Sequence, residues 1–71
     1  MTKFGEYLEK KSVNKAEISR KTGITRVRLT ELSTTPTTKI RGEEIYLVAL
    51  AIDVSPCEML EELFGHLKLS R

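Results

Sequence analysis

The chain has 71 residues, 39% hydrophobic and 31% charged, with twelve Lys and Arg against ten Asp and Glu for a net charge of +2. That apolar content serves one small core rather than two, so residues 1–71 are expected to form a single domain, and no apolar run approaches the ~20 residues that cross a bilayer. The lone Cys57 excludes an internal disulfide and a thiolate metal cluster; with no signal-peptide core in MTKFGEYLEKK, the expectation is a cytoplasmic protein without a membrane partner.

Charge is segregated along the chain. Residues 1–41 carry ten basic side chains and four acids, a local charge of +6, whereas residues 42–71 carry two and six, a local charge of −4. A basic half suits a surface that faces phosphates, although solvated helix faces with chance segregation give the same count.

From Thr2 to about Lys10, Phe4, Tyr7 and Leu8 recur at helical spacing, with Thr2 as a cap and Glu6 and Lys10 as a wet-side pair. The ring of Tyr7 is expected to pack and its hydroxyl to stay in water. Lys10, Lys11 and Ser12 then connect to a second helix. Asn14 and Glu17 have the spacing of a capping box there, and Val13 and Ile18 that of a hydrophobic staple. Gly23, the one residue in this stretch that adopts a left-handed conformation without strain, should end it.

Thr25 is a second N-cap two residues later, with Ile24 and Leu29 at staple positions. The helix that follows, about residues 26–32, places Leu29 and Leu32 inward and Arg26, Val27, Thr30 and Glu31 outward. Two short helices joined by a tight glycine turn over residues 14–32 read as a helix-turn-helix. Ser33 to Arg41, STTPTTKIR, is the one substantial loop, because Pro36 lacks a donor and constrains Thr35.

A fourth helix begins near Gly42, with Glu43 and Glu44 in its favourable first turn. Ile45, Val48, Ala49 and Ile52 share a face that Leu47, Leu50 and Ala51 widen, so this helix is either central to the bundle or half covered by a partner. After Asp53 and Val54, Ser55, Pro56 and Glu58 supply a cap, a first-position proline and a third-position acid for a fifth helix. Val54 and Met59 form its staple, Leu60, Leu63 and Phe64 follow at helical spacing, and Gly65 ends it. The tail, residues 65–71, alternates polar and apolar residues and is either a short strand or a flexible, frayed end.

Lys15-Ala16-Glu17-Ile18-Ser19, then Gly23-Ile24-Thr25, then Ala49 to Leu60 carry a resemblance to the Cro/C1-type (lambda-repressor-like) DNA-binding domain family over most of the chain. The resemblance implies an all-α, five-helix bundle and a sequence-specific double-stranded DNA-binding transcriptional regulator. That family usually has a phosphate-binding glutamine where this chain has Lys15, which trades an amide for a charge and implies a steeper salt dependence. It commonly has alanine at Ser19 and a glutamate and glycine at Ser33 and Thr34. Ala49 matches its small residue at a close helix crossing. In this family the loop after the recognition helix lies along the DNA backbone.

In a helix-turn-helix the first residues of the second helix meet base edges in the major groove. The base-contacting candidates are therefore Arg26, Val27, Arg28, Thr30 and Glu31. Arg26 suits a guanine, Val27 a thymine methyl and Glu31 a cytosine amine; Arg28 falls to a phosphate or a neighbouring base. Phosphate contacts are assigned to Lys15, Arg20, Lys21, Thr25, Lys39 and Arg41. The bland alternative for each is a solvated surface side chain.

Cys57 and His66 are too few for a metal site, and the sole histidine, the base that a nucleophilic Cys57 or serine would need, sits beyond Gly65 near the terminus. The adjacent acids Glu43-Glu44 and Glu61-Glu62 point apart on helices, and no glycine-rich phosphate loop occurs. No enzyme activity, cofactor or metal is expected. Such regulators usually bind as two-fold dimers, and Leu60, Leu63, Phe64 and Leu67 are the candidate dimer contacts, unless they close the monomer's own core. The alternative function is a protein-interaction module, such as an antitoxin that masks a partner through its acidic C-terminal half. RNA binding is less suited, since no aromatic stacking platform is evident.

Overall fold

In the computed structural model, residues 1–70 are described, and Arg71, the last residue of the tail, lies outside them. Five helices and no strand make up the described residues: α1 (Lys3–Lys10), α2 (Lys15–Thr22), α3 (Arg26–Thr34), α4 (Gly42–Ala51) and α5 (Pro56–Phe64). Four of them open on a side-chain cap. Thr2 accepts from the Gly5 amide, Asn14 from Ala16 and Glu17, Thr25 from Arg28, and Ser55 from Cys57 and Glu58, each satisfying first-turn donors that the helix itself leaves orphaned.

Each helix packs on two others, in the closed ring α1–α3–α2–α4–α5–α1. Phe4, Tyr7, Leu8, Ile18, Leu29, Leu32, Ile45, Val48, Ala49, Met59 and Leu63 fill its centre. Burying such side chains contributes about 1.5–3 kcal/mol each, the main return on ordering so short a chain. Leu29 and Leu32 hold α3 by its inner side, and the ring leaves the opposite side of α3 in water.

Two connections turn without glycine. Ser12 (φ 57°) and Asp53 (φ 63°) are left-handed. After α1 the Val13 amide reaches the Leu8 carbonyl at 3.3 Å, and after α4 the Val54 amide reaches that of Ala49 at 3.0 Å. Those are the six-to-one bonds of a Schellman ending, and each valine that closes one packs against the core.

The structure corrects several expectations. α3 runs two residues past Leu32: the Ser33 and Thr34 hydroxyls donate to the carbonyls of Leu29 and Thr30, four residues back, at 2.8 Å each, and Ser33 is buried. The loop therefore starts at Thr35. Gly65 does end α5, as expected, but in the right-handed region (φ −61°), with its amide donating to the Glu61 carbonyl. Residues 65–70 form no strand and are exposed. The Tyr7 hydroxyl is not left to water but donates to Glu58 at 3.2 Å, and its pKa is pushed up to about 12, by burial first and the Glu58 charge second. Glu17 pairs with Arg20 rather than reaching back to cap its helix. Leu63 is only 4% exposed and closes the chain's own core, so it is withdrawn from any dimer contact.

Candidate nucleic-acid interface

Gly23 (φ 82°) reverses the chain between α2 and α3, where the Thr22 hydroxyl donates to the Ile18 carbonyl and accepts from the Ile24 amide. Thr25 then starts α3 with its outer side in solvent. Arg26, Val27, Thr30 and Glu31, together with Thr34 and Thr35, line one shallow, open concavity on that side. Val27 is 71% exposed, a large apolar side chain left in water on a helix that buries its other apolar residues. Thr34 belongs to α3 and not to the loop in which proline and threonine content placed it, because its hydroxyl bonds back to the Thr30 carbonyl and keeps it helical.

Ion pairing sorts the basic side chains of residues 1–41. Lys10 and Lys11 face α5, pairing with Glu62 at 3.1 Å and Glu58 at 3.4 Å. Arg20 pairs with Glu17. Arg28, expected at a base or a phosphate, is engaged within the chain: its Nε donates to Glu44 Oε2 at 2.8 Å, and its Nη2 to Glu44 Oε1 at 3.0 Å and to the Lys39 carbonyl at 2.9 Å. Lys3, Lys15, Lys21, Arg26, Lys39 and Arg41 make no ion pair among the described residues. Of these, Lys21 points its ammonium at the Ala51 carbonyl, 3.5 Å away at the C-terminal end of α4. Lys15 opens α2 beside Ser33 and Thr34. Lys39 and Arg41 are exposed on the loop after α3. Lys3 shares a concavity with Thr38 and Lys39, a cation that sequence reasoning passed over, because only tertiary placement brings it next to that loop.

Glu44 is 7% exposed, yet it stays charged. The hydrogen bonds from Arg28 hold its carboxyl below the ordinary range; burial opposes this, and the Arg41 amide, donating at 2.8 Å, assists. A two-pronged guanidinium–carboxylate pair of this kind is both stronger and more directional than a neutral hydrogen bond.

The phosphate candidates are thus not gathered in one place. Lys15, Lys39 and Arg41 have ammonium or guanidinium groups available, Arg20 and Lys21 are directed to partners on α2 and α4, and Thr25 uses its hydroxyl as a cap. Cys57 is exposed, and no group of His, Cys, Asp and Glu among the described residues is placed to hold a metal ion. No helix is long and apolar enough to cross a membrane.

Two capped helices around a left-handed glycine, the second with its polar side turned outward beside unpaired cations, define a helix-turn-helix DNA-binding module. Residues 3–62 match the Cro/C1-type HTH DNA-binding domain family, and the chain belongs to that family, which makes it a DNA-binding regulator of that broad kind. No curated protein and no solved structure matches it.

Proposed function

We propose that this chain acts as one cytoplasmic domain without enzymatic activity, a regulator of transcription that binds double-stranded DNA sequence-specifically with α3 in the major groove. The observation that carries the reading is the outer side of α3, where exposed Val27 stands between Arg26 and Thr30 with Glu31 one turn on. An arginine fork, a methyl-seeking valine and an acid supply the three chemistries that distinguish base edges in that groove. Lys15, Lys39 and Arg41 take backbone phosphates and set the register. Arg20 and Lys21 would contribute through the donors that Glu17 and the Ala51 carbonyl leave unused, and Thr25 through its hydroxyl proton, since as a cap that oxygen accepts.

A helix-turn-helix module of this size reads half-sites about one helical turn (~34 Å) apart when paired. With Leu63 committed to the core, Leu60 and Phe64 on α5 and Leu67 beyond it remain exposed for pairing two copies. Selection from a random duplex pool, followed by a salt titration on the selected sequence, tests the reading. We expect a defined site and a steep fall of affinity with salt, reduced in a variant carrying Arg26→Ala and Lys15→Ala. A pool that yields no common sequence, with a flat salt response, would transfer the function to protein contact. Sedimentation with and without the selected duplex reports the pairing.

A further inference from the structure

Resting on the DNA-binding reading above, we infer that Arg28 and Glu44 form a clamp that positions the loop cations for DNA, so that Arg28 is a positioning residue and not a reader of bases. Arg28 is the third residue of α3 and Glu44 the third of α4, and residues 35–41 run between these helices. Besides the Thr35–Thr38 turn and the Ile45 amide, which donates to the Arg41 carbonyl at 3.1 Å as α4 begins, the hydrogen bonds that tie this loop to its surroundings beyond Thr35 pass through the pair. The Lys39 carbonyl accepts from Arg28 at 2.9 Å, and the Arg41 amide donates to Glu44 Oε1 at 2.8 Å. The intervening Ile40 packs against the core. Lys39 and Arg41 are therefore fixed at the backbone by the same two side chains whose mutual bonds span α3 and α4. Their own charged ends remain exposed.

The consequence for DNA is geometric. A recognition helix sets which base edges are met, while phosphate contacts on either side set its depth and pitch in the groove. Here Arg28 occupies the α3 position between the groove-facing Val27 and the core residue Leu29, and the Nε and Nη2 side of its fork is engaged at the foot of the loop. A guanidinium matches a carboxylate and a carbonyl at once, and a lysine ammonium in its place lacks the planar fork.

The test compares the parent chain with Glu44→Gln, Arg28→Lys and the double variant, each kept at a temperature where protected Leu29 and Leu32 amides show it folded. Binding is measured against the duplex selected by the parent, over a range of salt, with amide exchange of Lys39 to Arg41 followed without DNA. A clamp predicts roughly tenfold weaker binding in each single variant and a double variant no weaker than the worse of them. It also predicts unchanged preference at every base pair, faster exchange at the Arg41 amide, which donates to Glu44, and a salt slope smaller by up to about 2, the share of two phosphate contacts. Relaxed preference at one base pair in Arg28→Lys, with binding kept or strengthened in Glu44→Gln, would make Arg28 a base reader and overturn the inference. Unchanged affinity, slope and exchange would overturn it as well. A parent that selects no sequence refutes the DNA reading instead; the clamp then stands or falls on the exchange of the Arg41 amide in Glu44→Gln.

Discussion

Replacing Gly5 by alanine should destabilise this protein, although the same change inside most helices stabilises. Gly5 is a buried residue of α1 where that helix meets the end of α3. A Cβ there would lie 2.5 Å from the Ser33 carbonyl oxygen, below the 3.0 Å that real contacts respect, so α1 and α3 must separate by about half an ångström. The same carbonyl accepts from the Thr2 amide at 2.9 Å, and the Thr2 hydroxyl, which caps α1, donates to the Leu32 carbonyl at 2.6 Å. Separation strains all of these at once. Overpacking of this kind costs about 1–3 kcal/mol, against roughly 0.5–1 kcal/mol gained from alanine's helix propensity. The net expectation is a loss of about 0.5–2 kcal/mol. A chain of 71 residues has a total stability of about 4–10 kcal/mol, so the melting temperature should drop by ~3–15 °C. Gly42→Ala is the matched control: a Cβ there meets nothing within 4 Å, and its φ is not left-handed, so that variant should melt at or slightly above the parent. Thermal and urea unfolding of the three proteins side by side checks this. A Gly5→Ala protein as stable as Gly42→Ala would refute the packing argument.

Arg26→Ala should cost about 1–3 kcal/mol in binding to the selected duplex and remove preference at a single base pair, read by competition with point-substituted duplexes. Glu44, whose carboxyl is held below the ordinary range chiefly by Arg28, contributes stability that is present above the unfolded carboxylate pKa near 4.5 and lost as pH falls through its lower folded value. Glu44→Gln should therefore flatten the decline of the urea midpoint below about pH 4.5, and an unaltered acid profile would contradict the assignment. For Tyr7, with its pKa raised to about 12 by burial and Glu58, folding stability is complete below the unfolded value of 10.0 and falls as pH rises through the folded one. Tyr7→Phe should remove that part of the alkaline decline between pH 10.0 and about 12, as followed by urea unfolding at stepped pH.

Reading the chain as a sequence located its helices because their starts are local chemistry. Asn14, Thr25 and Ser55 cap within three residues of themselves, and Gly23 needs no neighbour to turn left-handed. The endings of α1 and α4 were less legible, since Ser12 and Asp53 take a left-handed conformation that their side chains do not announce. Schellman bonds and the valines packed beyond them impose it. Threonine and proline content misplaced the end of α3 for a related reason: a hydroxyl that can leave a helix can equally bond back into it.

The candidate site divides the same way. Helical periodicity alone turned Arg26, Val27, Thr30 and Glu31 to one side of α3, because spacing along a helix fixes which residues share a face. It could not assign Arg28, whose fork is claimed by an acid 16 residues away in α4, nor show that Lys10 and Lys11 are neutralised by α5 while Lys3 stands beside the loop. Caps, turns and helix faces were set by interactions spanning a few residues, so the sequence determined them unaided. Which cations remain available to a phosphate depends on charges brought together by burial of the shared core, and only the closed ring of helices decided that.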